Sequence, residues 1–345
     1  MSLDPLDPLV GELIDLVNSY SDRWESLDIS YQPKLLLLLS KSMTILKAIT
    51  FFSSGYFYPL YVWFLGIHGN NITHFTAQYI DVGQALEILR LSPQLQECSL
   101  IDLREYDDDI PLPSSPLHLT RLETLLVLIS EPVLDDLLNN INVSSLKSFK
   151  YDGNGYILSC DGIFAFLNRS GCLLNTFSLK HANIAEEEII RLLFAMPYLE
   201  TLSLGPPSAD SLKCARWNFG VPFVTDRMLG ILADTAEISA CLDDRRDRPF
   251  LPNLQSLKYT GCATFSRECI PFIFGDRRVK EPGVSEAPIT NLRPLHSLTM
   301  ELYPYGSDLD LYPNVISELK HLRTEEGYEI QILDVIGDVP RDLAT

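Results

Sequence analysis

A six-residue phrase with apolar residues in its first, fourth and sixth slots recurs along this chain and limits the possible folds more than any other feature. The clearest copy is Leu199–Leu204, and the copies at Leu46 and Ile72 fit more loosely. Slots four and six face one side of an extended strand, whereas slots three and five face the other. The phrase therefore predicts one short strand per copy. The copies begin at Trp24, Leu46, Ile72, Leu95, Leu122, Leu146, Leu174, Leu199, Leu254 and Leu295.

The spacing of the copies matches a known repeat class. From Trp24 to Leu199, successive copies begin 22 to 28 residues apart. Leucine-rich repeats have periods of roughly 20–29 residues. The last two intervals are 55 and 41 residues, so an insertion or an unrecognised unit lies in each. The sequence therefore predicts an α/β leucine-rich-repeat solenoid, with a curved parallel sheet on its concave face and helices on its convex face.

Helical stretches are predicted between the copies and near both ends of the chain. Residues 186–188 are three consecutive glutamates, predicted to be a solvated helix start; a partner-binding patch is the alternative. A final strand is predicted over Tyr328–Val335, with Gly327 capping the helix before it. The predicted helices are Gly11–Tyr20, Leu35–Leu39, Pro132–Ile141, Ala185–Met196, Thr225–Ala233 with Thr225 as its cap, and Pro313–Thr324.

These patterns divide the chain into three parts. Residues 1–23 are predicted to be an N-terminal helix or cap, and residues 24–301 the solenoid. Irregular insertions are expected near 205–250 and 276–291, and residues 302–345 should form a helix-strand cap and tail. A solenoid needs its last apolar face covered, which the final helix and strand would do.

Charge and cysteine usage restrict the partners and the compartment. The formal net charge is −19, which disfavours binding to nucleic acid or anionic membranes because both are polyanions. Seven cysteines without framework spacing, and no signal peptide, predict reduced thiols in the cytoplasm or nucleus rather than secretion. The chain is expected to be a monomer.

An uncharged stretch between Lys47 and His68 is long enough to span a bilayer. It contains Ser53, Gly55 and Pro59, and its first part lies in the strand phase of the repeat. A buried strand and connector is therefore the favoured interpretation, with a membrane segment as the alternative.

The sequence has no motif that predicts catalysis, and neither a cofactor nor a metal is expected. Phosphate-binding, nucleophile-elbow and zinc-protease motifs are all missing. Cys262 and Cys269 have no partner ligands at zinc spacing. Asp107–Asp109 is more typical of an exposed loop than of a cation site, and Asp152–Gly155 of a turn than of a nucleotide-binding loop. We therefore expect a protein that is not an enzyme.

The remaining candidate site is the concave face. It should be formed by slots three and five of each phrase and by the next alternate residue, which directly follows the phrase and is numbered slot seven. Three lysines on this face could accept an acidic segment of a partner protein, although serine, threonine and lysine are also ordinary solvent-facing strand residues. The candidate binding residues are Lys150, Asp152, Ser178, Lys180, Ser203, Lys258, Thr299 and Glu301.

Several of these phrases resemble the C-terminal repeat region of fungal F-box proteins. The resemblance covers roughly residues 9–336, and it is carried by Leu174–Leu179, Phe194–Leu204, Phe250–Leu257 and Leu322–Gly327. It implies that the repeats select the protein substrate of a cullin ubiquitin ligase, and that an F-box, where present, binds the ligase adaptor. Asp7–Glu12 lacks the Leu-Pro-x-Glu phrase that opens an F-box. A free-standing leucine-rich-repeat scaffold unrelated to ubiquitin is the alternative.

Overall fold

The computed structural model is a mixed α/β fold with a large parallel β-structure. It describes residues 8–30, 43–52, 69–105, 112–129, 133–153, 158–205, 224–234, 250–262, 264–274, 293–303, 312–334 and 341–342. The described helices are α1 Pro8–Asn18, α2 Val82–Leu91, α3 Leu134–Asn139, α4 Cys160–Ser170, α5 Glu186–Phe194, α6 Asp226–Asp234 and α7 Pro313–Thr324. Short 3-10 helices cover Ser21–Arg23, Gly69–Asn71, Arg267–Cys269 and Pro271–Phe274.

Each predicted phrase gives one strand, and the described part of the chain contains four further strands outside the phrases. The phrase strands are β1 Ser26–Ser30, β2 Ala48–Phe52, β3 His74–Gln78, β4 Glu97–Leu103, β6 Thr124–Ile129, β8 Ser148–Asp152, β9 Thr176–Lys180, β10 Thr201–Gly205, β11 Ser256–Cys262 and β12 Ser297–Tyr303. The others are β5 Leu117–His118, β7 Ile141–Asn142, β13 Glu329–Asp334 and β14 Arg341–Asp342.

The chain divides into two compact units. The first unit comprises residues 1–152 and 161–172, and the second comprises residues 153–160 and 173–345. In the first unit, six parallel strands pair in the order β1-β2-β3-β4-β6-β8, while β5 and β7 form a separate parallel pair. In the second, β9-β10-β11-β12-β13 are parallel and β14 pairs antiparallel with β13.

A hydrogen-bonded step recurs where the strands begin. In the first unit, the slot-two amide of Thr73 donates to the slot-two carbonyl of Lys47, and the amide of Gln96 donates to Thr73, both at 2.8 Å. In the second, Glu200 donates to Asn175 and Gln255 donates to Glu200, again at 2.8 Å. Equivalent residues of successive phrases are therefore aligned in each unit, which confirms the predicted register.

The apolar slots of the phrases form the interior between strands and helices. From β2 onward, the side chains in slots one, four and six of the phrases are buried. In the first unit, Phe166 of α4 packs on Phe149 of β8, with ring centroids 6.0 Å apart. In the second, Phe250 contacts Phe194 at the end of α5 at 4.8 Å. The helices thus cover one side of the strands, and slots three, five and seven lie on the other.

The 55-residue interval is one enlarged repeat. Strand β10 pairs directly with β11, with Leu202 opposite Leu257, so no further strand lies between them. Strand β11 likewise pairs directly with β12. The interval carries α6 instead, and the Thr225 hydroxyl accepts the Arg227 amide at 3.1 Å, which confirms the predicted cap.

The helix bounds differ from the prediction at several places. The helix predicted over Gly11–Tyr20 is Pro8–Asn18, and the one predicted over Thr225–Ala233 ends one residue later, at Asp234. The helix predicted over Pro132–Ile141 ends at Asn139, because the chain then becomes extended. Ile141 begins strand β7 and pairs with Leu117 of β5. The helix predicted over Ala185–Met196 ends at Phe194, two residues early. The final helix has the predicted bounds, and Gly327 after it has a φ of +75°, as a capping glycine requires.

Some sequence predictions lie outside the described residues. These are the helix at Leu35–Leu39, the aspartates 107–109, the end of the Asp152–Gly155 turn, the segment 276–291 and most of the uncharged stretch. The beginning of that stretch is β2, a strand as predicted. None of the helices described above combines the length and apolarity needed to cross a bilayer.

Candidate functional site

The solvent face of the strands, defined here as slots three, five and seven, contains all eight predicted binding residues. Six of them lie in the second unit, and Lys150 and Asp152 lie in the first. Within the second unit, slot five places Ser178, Ser203, Lys258 and Thr299 side by side on adjacent strands. Period-two alternation therefore identified the face correctly.

A charged cluster occupies slots five and seven of the second unit. The Lys258 ammonium donates to Glu301 Oε1 at 2.8 Å, and the Thr260 hydroxyl donates to Oε2 at 3.2 Å. Partial burial alone would raise the pKa of the Glu301 carboxyl. The hydrogen bond and charge of Lys258, the Thr260 hydroxyl and the charge of Lys180 outweigh burial and lower that pKa below its ordinary value. Glu301 is therefore held ionised.

Lys180 of β9 also acts on this cluster, because its charge lowers the pKa of the Glu301 carboxyl. Gly205 lies opposite Lys180, and a side chain at this position would begin 3.6 Å from the Lys180 Cγ. The aliphatic part of Lys180 thus passes close to Gly205, in the direction of Thr260 and Glu301. Two lysines and one carboxylate from three strands share this part of the face, leaving one cationic charge in excess.

Ser178 is less accessible than strand alternation predicted. Only 8% of its surface is exposed. Ser203 and Thr299 are partly exposed, so the accessible part of slot five comprises those two residues and Lys258.

Lys150 and Asp152 have apolar neighbours in the first unit. Lys150 is opposite Leu126, and Asp152 is opposite Leu128. Ile101 lies beyond Leu128 on the next strand. Leu126, Leu128 and Ile101 occupy solvent-face slots and are partly buried. Phe52, in slot seven of β2, is 39% exposed.

Sequence reasoning missed most of these apolar solvent-face residues. Alternation predicts that Leu126 lies on this face. It was not among the predicted binding residues, because those are all charged or hydroxyl side chains. An apolar residue in slot five or seven, where the other phrases have serine, threonine or lysine, was the available signal. Such exceptions are informative, because binding sites commonly place apolar side chains inside a polar rim.

Glu186 is not part of a solvated helix start. Only 4% of its surface is exposed, and its carboxylate accepts the Thr225 amide at 2.6 Å and the Thr225 hydroxyl at 2.7 Å. Its neighbour Glu187 is exposed and pairs with Arg227 at 2.7 Å. The prediction was wrong for Glu186 because its partner lies 39 residues later, in the enlarged repeat.

The described residues include no group of three or more side chains that could hold a metal ion. Burial raises the pKa of the Cys98 thiol to about 12 and also raises that of Cys262, so neither is activated as a nucleophile. The geometry described here can provide a binding surface of hydroxyls, lysines and leucines.

Comparisons with known proteins do not assign the chain. No protein-family model matches it, and a search of curated protein sequences finds no significant match.

Proposed function

We propose that this chain is a leucine-rich-repeat protein and that it binds another protein rather than catalysing a reaction. Three regularities support the repeat class: one strand per phrase, the slot-two hydrogen bonds, and a left-handed backbone in the same slot of several copies. That slot is the eighth, where Tyr79, Asp102 and His181 have φ values of 58°, 53° and 48°. Strands that repeat in this way present successive solvent-face residues side by side.

The observation that carries the binding proposal is the cluster of Lys180, Lys258 and Glu301. Glu301 holds the Lys258 ammonium in place, so little side-chain freedom is left to lose when a partner binds. The cationic excess suits an acidic protein segment, and the surrounding hydroxyls can donate to its backbone. Such a cluster contributes to specificity and orientation more than to total affinity.

The proposed biological role is substrate recognition in an F-box-type cullin ubiquitin ligase receptor, on the strength of the sequence resemblance. A free-standing repeat scaffold is the second candidate. The observation in its favour is that the described residues 8–23 form one 11-residue helix and one 3-10 turn, and so do not by themselves make the helix bundle of an F-box.

Site-specific photo-crosslinking in a fungal lysate tests the binding face. A photoreactive phenylalanine at Thr299, on the solvent face, should crosslink a distinct protein. The same group at Lys320, an exposed residue of α7, is the control and should not. Changing Lys180 and Lys258 together to glutamate should abolish the Thr299 product. Equal crosslinking from both positions, or an unchanged product in the double variant, would contradict the proposal.

The captured proteins also separate the two roles. Recovery of the cullin-ligase adaptor together with the crosslinked partner would support the ligase receptor. Recovery of the partner without the adaptor would support the free-standing scaffold.

A further inference from the structure

A contiguous apolar patch lies on the solvent face of the first unit. Ile101 of β4 is directly opposite Leu128 of β6, and Leu126 lies two residues before Leu128 on the same face. Neighbouring strands are about 4.8 Å apart, so Ile101 and Leu128 are side by side, while Leu126 is the next residue along the same face of β6. Phe52 lies in the same slot two strands from Ile101, beyond Gln78.

Polar groups border this leucine patch, which we define as Ile101, Leu126 and Leu128. Lys150 borders Leu126 on β8, and Asp152 borders Leu128 on the same strand. Gln78 borders Ile101 and donates to Asp102 Oδ2 at 3.1 Å. The patch therefore has a cation at one corner, a carboxylate at the next and an amide on the opposite side.

Lys150 differs from the other lysine at this end of the unit. Lys147 pairs with Glu123 at 2.9 Å. Lys150 is exposed, and it has no hydrogen bond or ion pair with any residue in the described part of the chain. A cation beside partly buried leucines can therefore accept an external anion without breaking an internal contact.

The combination selects a class of partner. Partly buried leucines release water when they are covered, so they favour an apolar side chain. Lys150 favours an anion beside that side chain, and Asp152 directs the anion to the Lys150 side of the patch by repulsion. Nucleic acid is disfavoured because the chain has a net charge of −19. A protein segment with an apolar residue next to aspartate or glutamate satisfies both requirements.

We propose that the leucine patch binds an apolar side chain of a partner segment while Lys150 pairs with an adjacent carboxylate of that segment. This inference rests on the proposed protein-binding function and specifies the chemistry of the bound segment. The leucine patch provides the affinity, and Lys150 determines which end of the segment lies over β8.

Peptide display against the purified full-length chain tests this proposal. A library of random linear peptides should yield sequences with a large apolar residue within two positions of aspartate or glutamate. Lys150→Glu should keep the apolar residue but change the preferred neighbour to lysine or arginine. Lys147→Glu, three residues earlier, should leave the wild-type preference unchanged. Failure to enrich any peptide, or an acidic preference that survives Lys150→Glu, would overturn the proposal.

A second variant tests the apolar contact separately. Leu126→Thr combined with Leu128→Thr introduces a residue type that the same strand already carries on its solvent face at Thr124, so the fold should persist, as far-ultraviolet circular dichroism would verify. A synthetic peptide selected on the wild type should bind this variant at least about tenfold more weakly. Unchanged affinity in the folded variant would refute the leucine contact. Because crosslinking at Thr299 detects a partner protein on the second unit without using the leucine patch, failure here would leave the proposed function standing.

Discussion

Adjacent residues of one strand have opposite environments in this chain. Leu202, in slot four of β10, is 1% exposed, whereas Ser203 in slot five lies on the solvent face. A charge is therefore tolerated at one position and excluded at the next, because a buried charge without a partner loses its hydration.

We expect Leu202→Asp to destabilise the protein by about 4 kcal/mol or more, through cavity formation and an unpaired buried carboxylate. Ser203→Asp should change stability by less than about 0.5 kcal/mol, since it places the carboxylate opposite Lys258. Urea unfolding of both variants measures the difference. Equal stability of the two would show that the register of β10 is wrong.

The lowered pKa of Glu301 makes its contribution to stability dependent on pH. A carboxyl whose pKa is lower in the folded state stabilises the fold above its unfolded-state pKa of about 4.3. That stabilisation is lost as the pH falls through the lower folded-state value. Glu301→Gln should therefore reduce the melting temperature at pH 7 and make no difference at strongly acidic pH. In a Lys258→Met background the effect at pH 7 should shrink, and an undiminished effect would exclude the ion pair as its cause.

Alternation alone predicted which residues share the solvent face, but it could not predict which of them bond. Lys258 and Glu301 were both assigned to this face, yet their hydrogen bond depends on the pairing of β11 with β12 in space. The partner of Glu186 was beyond the reach of any local pattern for the same reason. Its burial depends on where a chain segment returns after a long interval of unrepeated sequence.

At the level of helices, an acidic residue in the first turn of one helix contacts the start of the next helical segment. Asp135 of α3 lies against Gly162 of α4, and Glu186 of α5 accepts the Thr225 amide ahead of α6. Asp226 of α6 in turn accepts the amide of Ser266, just before a 3-10 helix. The unpaired amides and positive end of a helix favour such a carboxylate. These contacts align successive helices within each unit.

Two helical glycines should therefore respond differently to alanine. A Cβ at Gly162 would collide with the Asp135 carboxylate, whereas a Cβ at Gly230 in α6 would meet no atom within 4 Å. Gly162→Ala should gain no stability or lose up to about 1 kcal/mol, because the end of the Asp135 side chain has to turn away from the new methyl group. Gly230→Ala should stabilise by about 0.5–1 kcal/mol, the usual benefit of alanine in a helix. Thermal unfolding of the two variants decides the matter, and stabilisation by both would argue against the Asp135 contact.

The contact between Glu186 and Thr225 gives a further test. Thr225→Val preserves the shape of the side chain but removes the hydroxyl, leaving Glu186 Oε2 and the Arg227 amide each without a hydrogen bond that the structure shows. We expect a loss of about 1–3 kcal/mol in the free energy of unfolding. Thr225→Ser, which keeps the hydroxyl, is the control and should lose much less. Equal losses would mean that the methyl group matters rather than the hydrogen bond.

At the level of the whole molecule, each described phrase strand within a unit pairs with the strands of the phrases before and after it in that unit. Stability in such an array is nearly a sum of repeat terms and interfaces between neighbours. The sequence predicted this order from its period. It could not show whether the 55-residue interval contained an extra strand. An insertion and a degenerate repeat cannot be told apart in the sequence when the interval contains no recognisable phrase.

Damage should therefore stay local. In a Leu202→Asp variant, amide hydrogen exchange is expected to accelerate most in β9, β10 and β11, which pair through the altered strand. Strands β2, β3 and β4 of the first unit should retain wild-type protection from exchange under the same native conditions. Uniform loss of protection across both units would indicate a single cooperative fold instead.

The two-residue strand β14 also bears on how a chain of this kind can lengthen. It runs against β13, with Asp342 opposite Leu333, and Asp342 is further held by Arg323 at 3.3 Å. A repeat duplicated beyond β13 would present a parallel strand to an edge that an antiparallel one already occupies. A strand inserted between two internal parallel strands meets no such antiparallel neighbour, so the sheet can accept an additional parallel strand more easily there than beside β13.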